Sequence, residues 1–591
     1  MLMTGRQDTR VLECIRTTIL FISGLCASLF ICLKAVLKQG IPRGSGKNAW
    51  TFKNLEREIL IKAFKILGIR QKGVAIRYDT EYNSNIISLF RNNAYNKQHF
   101  LGIKRRKMMT GRQKEIADLE ELYIGDRAEL VAIYGRRRVG KTYLVEQVFK
   151  NRFDFRHAGL SPVENERNGM LKAQLTHFYN SLKSFGLDEG NCPNTWLDAF
   201  YMLQKLLEKK DDGGRQVVFI DEMPWLDTPR SGFITAFEGF WNNWGCHRDN
   251  LMVIVCGSAN SWMLDHLINS HGGLYGRVTY EMKLSPFTLV ECEEYLKRRR
   301  VKLSRYDIAQ AYMIVGGIPF YLQYFQKGLS LAQNVDHLFF NEDAKLRFEY
   351  ERLFSSAFKN PGFIRTMIEF LYKKNAGYTR KEIAEALKIT DGDVLTRSLN
   401  ALVSSDFVLK YVPFGHTGRK LDHYKLTDPF CLFYLHFVQH RDVGMGEQFW
   451  EENIRAQSVI VWRGIAFENL CFRHIRQIKA ALGISGVSSK QSAWSKRADD
   501  QEGTQIDLLI DRADNIINMC ELKFYSDDFT VDRNYYRLMM RRQELLSNEI
   551  PKRKAIHNTL ITTYGLAYNE YSGVFSRVIT LDDLFDWRIK V

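Results

Sequence analysis

Ten cysteines are scattered through 591 residues, and no two of them form a C-x-x-C pair. That spacing argues against a zinc site and suits a chain held in the reducing cytoplasm, the location expected here. A strong charge excess is also missing from most of the chain. The formal net charge is +17, yet residues 1–107 hold 20 of the 84 basic and 6 of the 67 acidic side chains, which leaves 64 and 61 for the other 484. The bulk charge is therefore poor evidence of nucleic-acid binding by that remainder. Long apolar runs are absent apart from residues 17–37, so a transporter built from several membrane spans is not expected. What is present is 45% apolar, the make-up of an ordinary globular protein, with length for about three or four domains.

The run TTILFISGLCASLFICLKAVL (17–37) is barely long enough to span a bilayer, has basic flanks on both sides, and is followed by no convincing small-residue cleavage site. The pentapeptide MTGRQ occurs at 3–7 and again at 109–113. The preferred reading is that translation begins at Met108 or Met109 and that residues 1–107 are a start-site artefact or a degenerate remnant. A membrane anchor at 17–37 and a soluble basic appendage are the alternatives.

Residues 135–142 read GRRRVGKT, the G-x-x-x-x-G-K-T pattern of a phosphate-cradling loop. The apolar run ELVAIY (129–134) before it suits a buried parallel strand, and YLVEQVFK (143–150) after it has helical spacing. Glycines let the backbone wrap an anion at a helix N-terminus, where N–H groups are free. Gly135, Arg136, Arg137, Arg138, Val139, Gly140, Lys141 and Thr142 are all expected at the nucleotide. Lys141 would reach the β- and γ-phosphates, and Thr142 would ligate Mg²⁺.

A second run, VVFI (217–220), ends in Asp221 and Glu222. Carboxylates at the C-terminal end of a parallel strand lie where α/β sheets bind ligands. Asp221 is expected to hold Mg²⁺, and Glu222 to act as general base on the attacking water. A third run, LMVIVC (251–256), leads to Ser258, expected to sense the γ-phosphate. In HGGLYGR (271–277), Arg277 is either a charge-stabilising arginine, in cis or in trans, or a structural ion-pair partner.

These residues resemble the archaeal-type ATPases of the P-loop superfamily, related to the AAA+ and STAND NTPases. The resemblance rests on GRRRVGKT, VVFIDEMPWL, VIVCGSANSWM, GGLYGRVTYEMKLSPF and GGIPFYL, and covers roughly residues 108–345. It implies ATP and Mg²⁺ as cofactors and slow hydrolysis used as a switch. It implies no particular substrate. The core is assigned to 108–280 and a helical lid to 281–355, with helices expected at 288–300 and 304–314 before the Gly316-Gly317-Ile318-Pro319 break.

Residues 356–440 read as a winged helix. A capped first helix is expected at 379–387, a recognition helix at 391–403, and wing strands at 408–411 and 423–426 around Gly415–Gly418. Such modules often enter the major groove. This second helix, however, starts with Asp391 and Asp393 and carries only Arg397, a poor phosphate-contacting surface. Packing or dimerisation is the alternative role.

In residues 441–591, QIDLLIDRADNIINMCELKF (505–524) alternates about a turn-forming cluster at 511–515. A hairpin centred near Asp514 sets Asp507 opposite Glu521, and period-two geometry puts Lys523 on the same face as Glu521. Paired carboxylates suit a hard divalent cation, which lowers the pKa of a bound water. Glu468, on a helix beginning near Gly464, is a fourth candidate. This D…E-x-K pattern resembles the PD-(D/E)XK nuclease superfamily, and in particular the domain often fused to these ATPases. The proline of the first motif is replaced by Ile506.

The fold expected is α/β: a P-loop NTPase with a parallel sheet, a helical lid, a winged helix and a C-terminal restriction-endonuclease-like domain. The function expected is ATP hydrolysis coupled to metal-dependent DNA cleavage at Asp507, Glu521 and Lys523. The alternative is an ATP-dependent switch that binds DNA or protein and carries an inactive nuclease fold. Partners expected are ATP, DNA and, for an arginine acting in trans, a second copy of the chain. A membrane partner enters only if residues 17–37 are expressed and inserted. No second RecA-like core is visible, so a helicase motor is disfavoured.

Overall fold

The computed structural model describes residues 109–586, apart from 162–169, 189, 270–271, 356–357, 359, 417–420, 441–447 and 497–503. The N-terminal extension with its apolar run, Met108, His271 and Gly418 lie outside the described residues. Those that are described belong to one compact unit, Lys107–Val591. No helix among them is long and apolar enough to cross a membrane.

The first sheet contains β1 (Glu129–Tyr134), β2 (Phe155–Ala158), β3 (Gln216–Asp221), β4 (Leu251–Gly257) and β5 (Tyr280–Lys283), in the order β2-β3-β4-β1-β5. All its pairings are parallel. The three central strands are the three apolar runs of the sequence, because a strand covered on both faces needs apolar side chains in both directions. Alternation sorts them: Val131, Ile133, Val217, Phe219, Met252 and Ile254 enter one core. Leu130, Ala132, Val218, Ile220, Val253 and Val255 enter another, under helices Met170–Ser184, Trp196–Lys209 and Phe233–Asn243. The edge strands β2 and β5 escape a reading from hydrophobicity, since half of their residues face outward.

Two capped helices follow. Thr288 forms a capping box with Glu291 over Leu289–Arg298, and Ser304 caps Arg305–Val315. Gly316 and Gly317 stop the second helix with positive φ. A Cβ on Gly317 would lie 2.3 Å from the Phe287 carbonyl oxygen, so only glycine fits. Pro319 then starts the short helix Pro319–Leu322.

Downstream, helices Pro361–Tyr372, Arg380–Ala386 and Asp393–Ser404 accompany a small sheet of β6 (Tyr378–Thr379), β7 (Val408–Tyr411) and β8 (His423–Leu426), ordered β6-β8-β7. The last sheet holds β9 (Ser489–Lys496), β10 (Thr504–Arg512), β11 (Ile516–Lys523), β12 (Ala555–Thr562) and β13 (Arg577–Ile579), ordered β13-β12-β11-β10-β9. Strands β9, β10 and β11 are antiparallel neighbours. Strands β11, β12 and β13 run parallel, with helix Arg533–Ser547 crossing between β11 and β12.

Two docking features join these parts. Phe414, just past β7, donates its N–H to the Ala493 carbonyl of edge strand β9 at 3.0 Å, and its ring packs against the last sheet's core. His474, at the end of helix Gln457–Arg473, accepts the Leu289 N–H at Nε2 (3.2 Å) and faces the Leu470 carbonyl with Nδ1 (2.9 Å). A carbonyl only accepts, so the proton sits on Nδ1 and the ring is neutral.

Burial holds the His474 pKa down to about 4. A depressed folded pKa means that this contribution to stability is complete above the ordinary value of 6.5 and is lost as pH falls toward 4. An NMR titration of the His474 ring should show a midpoint near 4. A midpoint above 6 would refute the bridging geometry.

Candidate functional site

The C-terminal ends of β1, β3 and β4 bring three loops together. Gly135 opens the P-loop with φ 150, and a Cβ there would stand 2.2 Å from the Leu284 carbonyl oxygen. Gly140 lies at φ 93 immediately before helix Lys141–Val148. The buried Lys141 donates from Nζ to the carbonyls of Gly135 (2.9 Å) and Arg136 (3.2 Å), so its ammonium is held inside the loop's own curve. Thr142 donates its hydroxyl proton to Asp221 Oδ2 at 2.7 Å. Two hard oxygen donors, one from each motif, thus meet at one point, a donor set suited to Mg²⁺.

Glu222 has φ 44, unusual for a non-glycine residue. Its Oε2 accepts both the N–H (3.1 Å) and the hydroxyl (2.9 Å) of Ser258. Burial raises the Glu222 carboxyl above its usual range, against the pull of the Lys141 ammonium, and the same burial lowers Lys141. A carboxyl whose pKa is raised holds an accepted proton better, which suits a general base. Ser258 therefore touches the candidate base first.

Four P-loop side chains have partners outside the loop. The guanidinium groups of Arg136, Arg137 and Arg138 are each engaged by another part of the chain. Arg136 pairs with Asp428 at 3.0 Å, Arg137 donates to the Arg352 carbonyl at 2.9 Å, and Arg138 pairs with Glu349 at 2.8 Å over the Phe320 ring. The Val139 side chain is buried in the core. The loop offers a phosphate its backbone and Lys141, while these side chains anchor it.

Arg277 is displaced from the site as well. Thr279, two residues on, donates its N–H to the Leu130 carbonyl at the start of β1, whereas Gly135 follows its end. The strand's length separates the two, roughly 20 Å. Arg277 is exposed and lies at the opposite end of β1 from the P-loop of its own chain, so a role in cis is disfavoured, while a role in trans and a structural ion pair stay open. Asn260 was overlooked in the sequence: fully buried, it accepts the Gly135 N–H at Oδ1 (2.9 Å) and donates to the Ser404 carbonyl (2.9 Å). Its position two residues past Ser258 was the available signal.

The second candidate site lies on the last sheet. The β10–β11 register runs from Leu508↔Cys520 to Asp511↔Ile517, which centres the hairpin on Asp514 and extends to Asp507 opposite Glu521. Asn515 at φ 63 closes the turn. A bulge against β9 between Ile506 and Leu509 reverses the alternation at Asp507. Lys523 Nζ is 2.9 Å from Glu521 Oε1.

Helix Arg533–Ser547 adds groups that the pattern did not disclose. Arg542 donates to Glu521 Oε2 at 2.6 Å, and the Tyr535 hydroxyl donates to Oε1. Glu468 accepts from the Asn375 amide at 2.9 Å and lies 4.0 Å from the buried Lys425 ammonium on β8. Among the described residues, no group of three or more His, Cys, Asp or Glu side chains is arranged to hold a metal ion. Glu521, expected to share a metal with Asp507, is paired here with both Lys523 and Arg542.

The carboxyl groups of Asp507, Glu468 and Glu521 feel one another. Burial, then Glu521, raises the Asp507 carboxyl, and burial, then Asp507, raises Glu468 to about 7. A raised folded pKa means that this group's stabilising contribution is complete below its ordinary value of 4.5 and is lost as pH rises through 7. Glu468→Gln keeps the Asn375 contact and removes the titration. It should match the parent at pH 4.5 and exceed it at pH 8 by up to about 3 kcal/mol in thermal denaturation.

Comparison with known proteins bears on the first site. Residues 109–325 match an ATPase domain found predominantly in Archaea. An uncharacterized protein of Methanocaldococcus jannaschii is 24% identical over 406 residues, 68% of this chain and 84% of that one. An uncharacterized ATP-binding protein of the same organism is 40% identical over 45 residues, 8% of this chain and 76% of that one. Among solved structures, the Walker-type ATPase of Pyrococcus abyssi shows 19% identity over 56% of this chain and 97% of its own, with a TM-score of 0.38. The Aeropyrum pernix ORC2 protein, in ADPNP–ADP complexes, shows 13% identity over 56% and 94%, with a TM-score of 0.33. With GRRRVGKT set at the edge of a five-stranded parallel sheet, the chain belongs to this predominantly archaeal family of ATP-binding ATPases.

Proposed function

We propose that the chain uses its ATPase cycle to control a nuclease-like centre on the last sheet, acting on DNA. At the first site, Lys141 would bind the β- and γ-phosphates, Glu222 would take a proton from the attacking water, and Ser258 would report the γ-phosphate through Glu222. Thr142 and Asp221 would hold Mg²⁺, which neutralises phosphate charge when bound. The observation that carries the second half is the Glu521–Lys523 contact of 2.9 Å beside Asp507, on a sheet whose antiparallel hairpins precede a parallel crossover. In this reading Arg542 and Tyr535 hold the centre closed, and opening requires Arg542 to leave Glu521.

A second reading follows from the same arginine. If Arg542 is a permanent partner of Glu521, the last domain is a scaffold and the protein is an ATP-dependent switch. The segment 356–440 has helix–strand–helix–helix–hairpin order, which supports a winged helix, yet it offers DNA little. Arg397 is paired with Asp393, Arg380 with Asp391, and the wing's Phe414 is docked on β9. Its role here is to bridge the ATPase and the last sheet.

The full chain incubated with plasmid or single-stranded DNA and Mg²⁺ or Mn²⁺, with and without ATP, separates the readings. Cleavage should need Glu521, so Glu521→Ala should abolish it, and Lys141→Ala should abolish both ATP turnover and its effect on cutting. Glu222→Gln should bind ATP yet turn it over at least about 100-fold more slowly. ATP turnover with no cleavage of either DNA would establish the switch reading.

A further inference from the structure

A P-loop meets its nucleotide mainly through backbone N–H groups, so the side chain second in the loop is free for another purpose. Here that side chain is Arg136, 1% exposed, and it reaches Asp428, 292 residues away. Its Nη2 lies 3.1 Å from Oδ1 and 3.0 Å from Oδ2, and the guanidinium stands over the rings of Phe407 (4.9 Å) and Tyr321 (5.9 Å). Nε and Nη1 find no hydrogen-bond partner among the described residues. A buried pair with two unanswered N–H groups is a poor source of stability, and apolar residues could fill the space as well. What it does is fix the register between the P-loop and residue 428.

The neighbouring residue is tied in parallel. Gly135 is held by Asn260, whose amide also grips the Ser404 carbonyl. On the far side of the same two segments, Arg473 donates to the carbonyls of Asp406 (2.6 Å) and Thr427 (3.2 Å). Residues 404–406 and 427–428 thus grip the first two P-loop residues on one side. On the other they grip the end of helix Gln457–Arg473, which carries Glu468.

We infer that Asp428 is a positioning residue for ATP hydrolysis. By holding Arg136 it sets the path of the P-loop backbone, and with it the aim of the loop's N–H groups and of Lys141 at the phosphates. Asn260 does the same at Gly135. Arg473 makes this setting depend on where the Glu468 helix sits, so the ATP site and the last domain constrain each other. Such a dependence is reciprocal: whatever shifts that helix changes ATP affinity by the factor with which ATP shifts the helix.

The test compares the full chain with Asp428→Asn and with Arg136→Met/Asp428→Asn, by thermal melting and by steady-state ATP hydrolysis. Asparagine keeps the cap on the Cys431 N–H. The double variant removes the buried cation together with the anion that answered it, so a purely structural pair predicts a parental melt with parental KM and kcat. The positioning role predicts a melt recovered in the double variant but kcat/KM lower by about 10-fold. A folded double variant with parental kcat/KM would overturn it. Arg473→Gln touches neither the P-loop nor the nucleotide and carries the test alone if the double variant does not fold. Its KM for ATP should rise by about 3-fold, and unchanged kinetics would overturn the linkage. The inference rests on ATP turnover at the P-loop, which Lys141→Ala checks separately: residual activity there would place hydrolysis elsewhere and leave the Asp428 comparison to be judged on nucleotide affinity alone.

Discussion

The geometry of the ATP site depends on one constraint, the insertion of β4 between β1 and β3. Two strand spacings, about 10 Å, then separate the loop that receives phosphate from the carboxylates that handle the ion and the water. Helix Lys141–Val148 closes the gap from one side by bringing Thr142 to Asp221. The end of β4 closes it from the other, with Ser258 on Glu222 and Asn260 on Gly135.

How much of this is legible in the sequence follows from what each signal encodes. The central strands were readable because burial on two faces demands unbroken apolar runs, and the helices Leu289–Arg298 and Arg305–Val315 because Thr288 and Ser304 announce their starts. The Asp507–Glu521 register was readable because turn residues and period-two alternation fix a hairpin locally. The partners of the P-loop arginines, Arg352, Glu349 and Asp428, were not legible because they lie far along the chain. A motif states where a backbone goes and says nothing of where a non-glycine side chain finds its counter-charge. The same holds for Arg542 and Tyr535, which only the crossover helix brings to Glu521.

The electrostatics of the two sites differ in kind. Around Lys141 and Glu222, opposite charges are buried together, and each offsets part of the cost of burying the other. Around Asp507 and Glu468, like charges are gathered, and the fold accommodates them by admitting Lys523, Arg542 and Lys425 and by favouring protonation. The first arrangement awaits a polyanion. The second is internally neutral as it stands, so anything that recruits it must first separate resident ion pairs.

The docking of Phe414 on Ala493 has a consequence for how the chain can be divided. Strand β9 is the outer strand of its sheet, and an outer strand presents unpaired N–H and C=O groups to any passing chain. The 356–440 segment shields part of that margin, and a single apolar core runs from the first sheet through helices Leu289–Arg298 and Arg305–Val315 to the Glu468 helix. The parts of this protein are therefore not beads on a string. Cutting the last domain free would expose both a raw apolar face and a strand seeking a partner, and self-association would be the cheapest way to cover them.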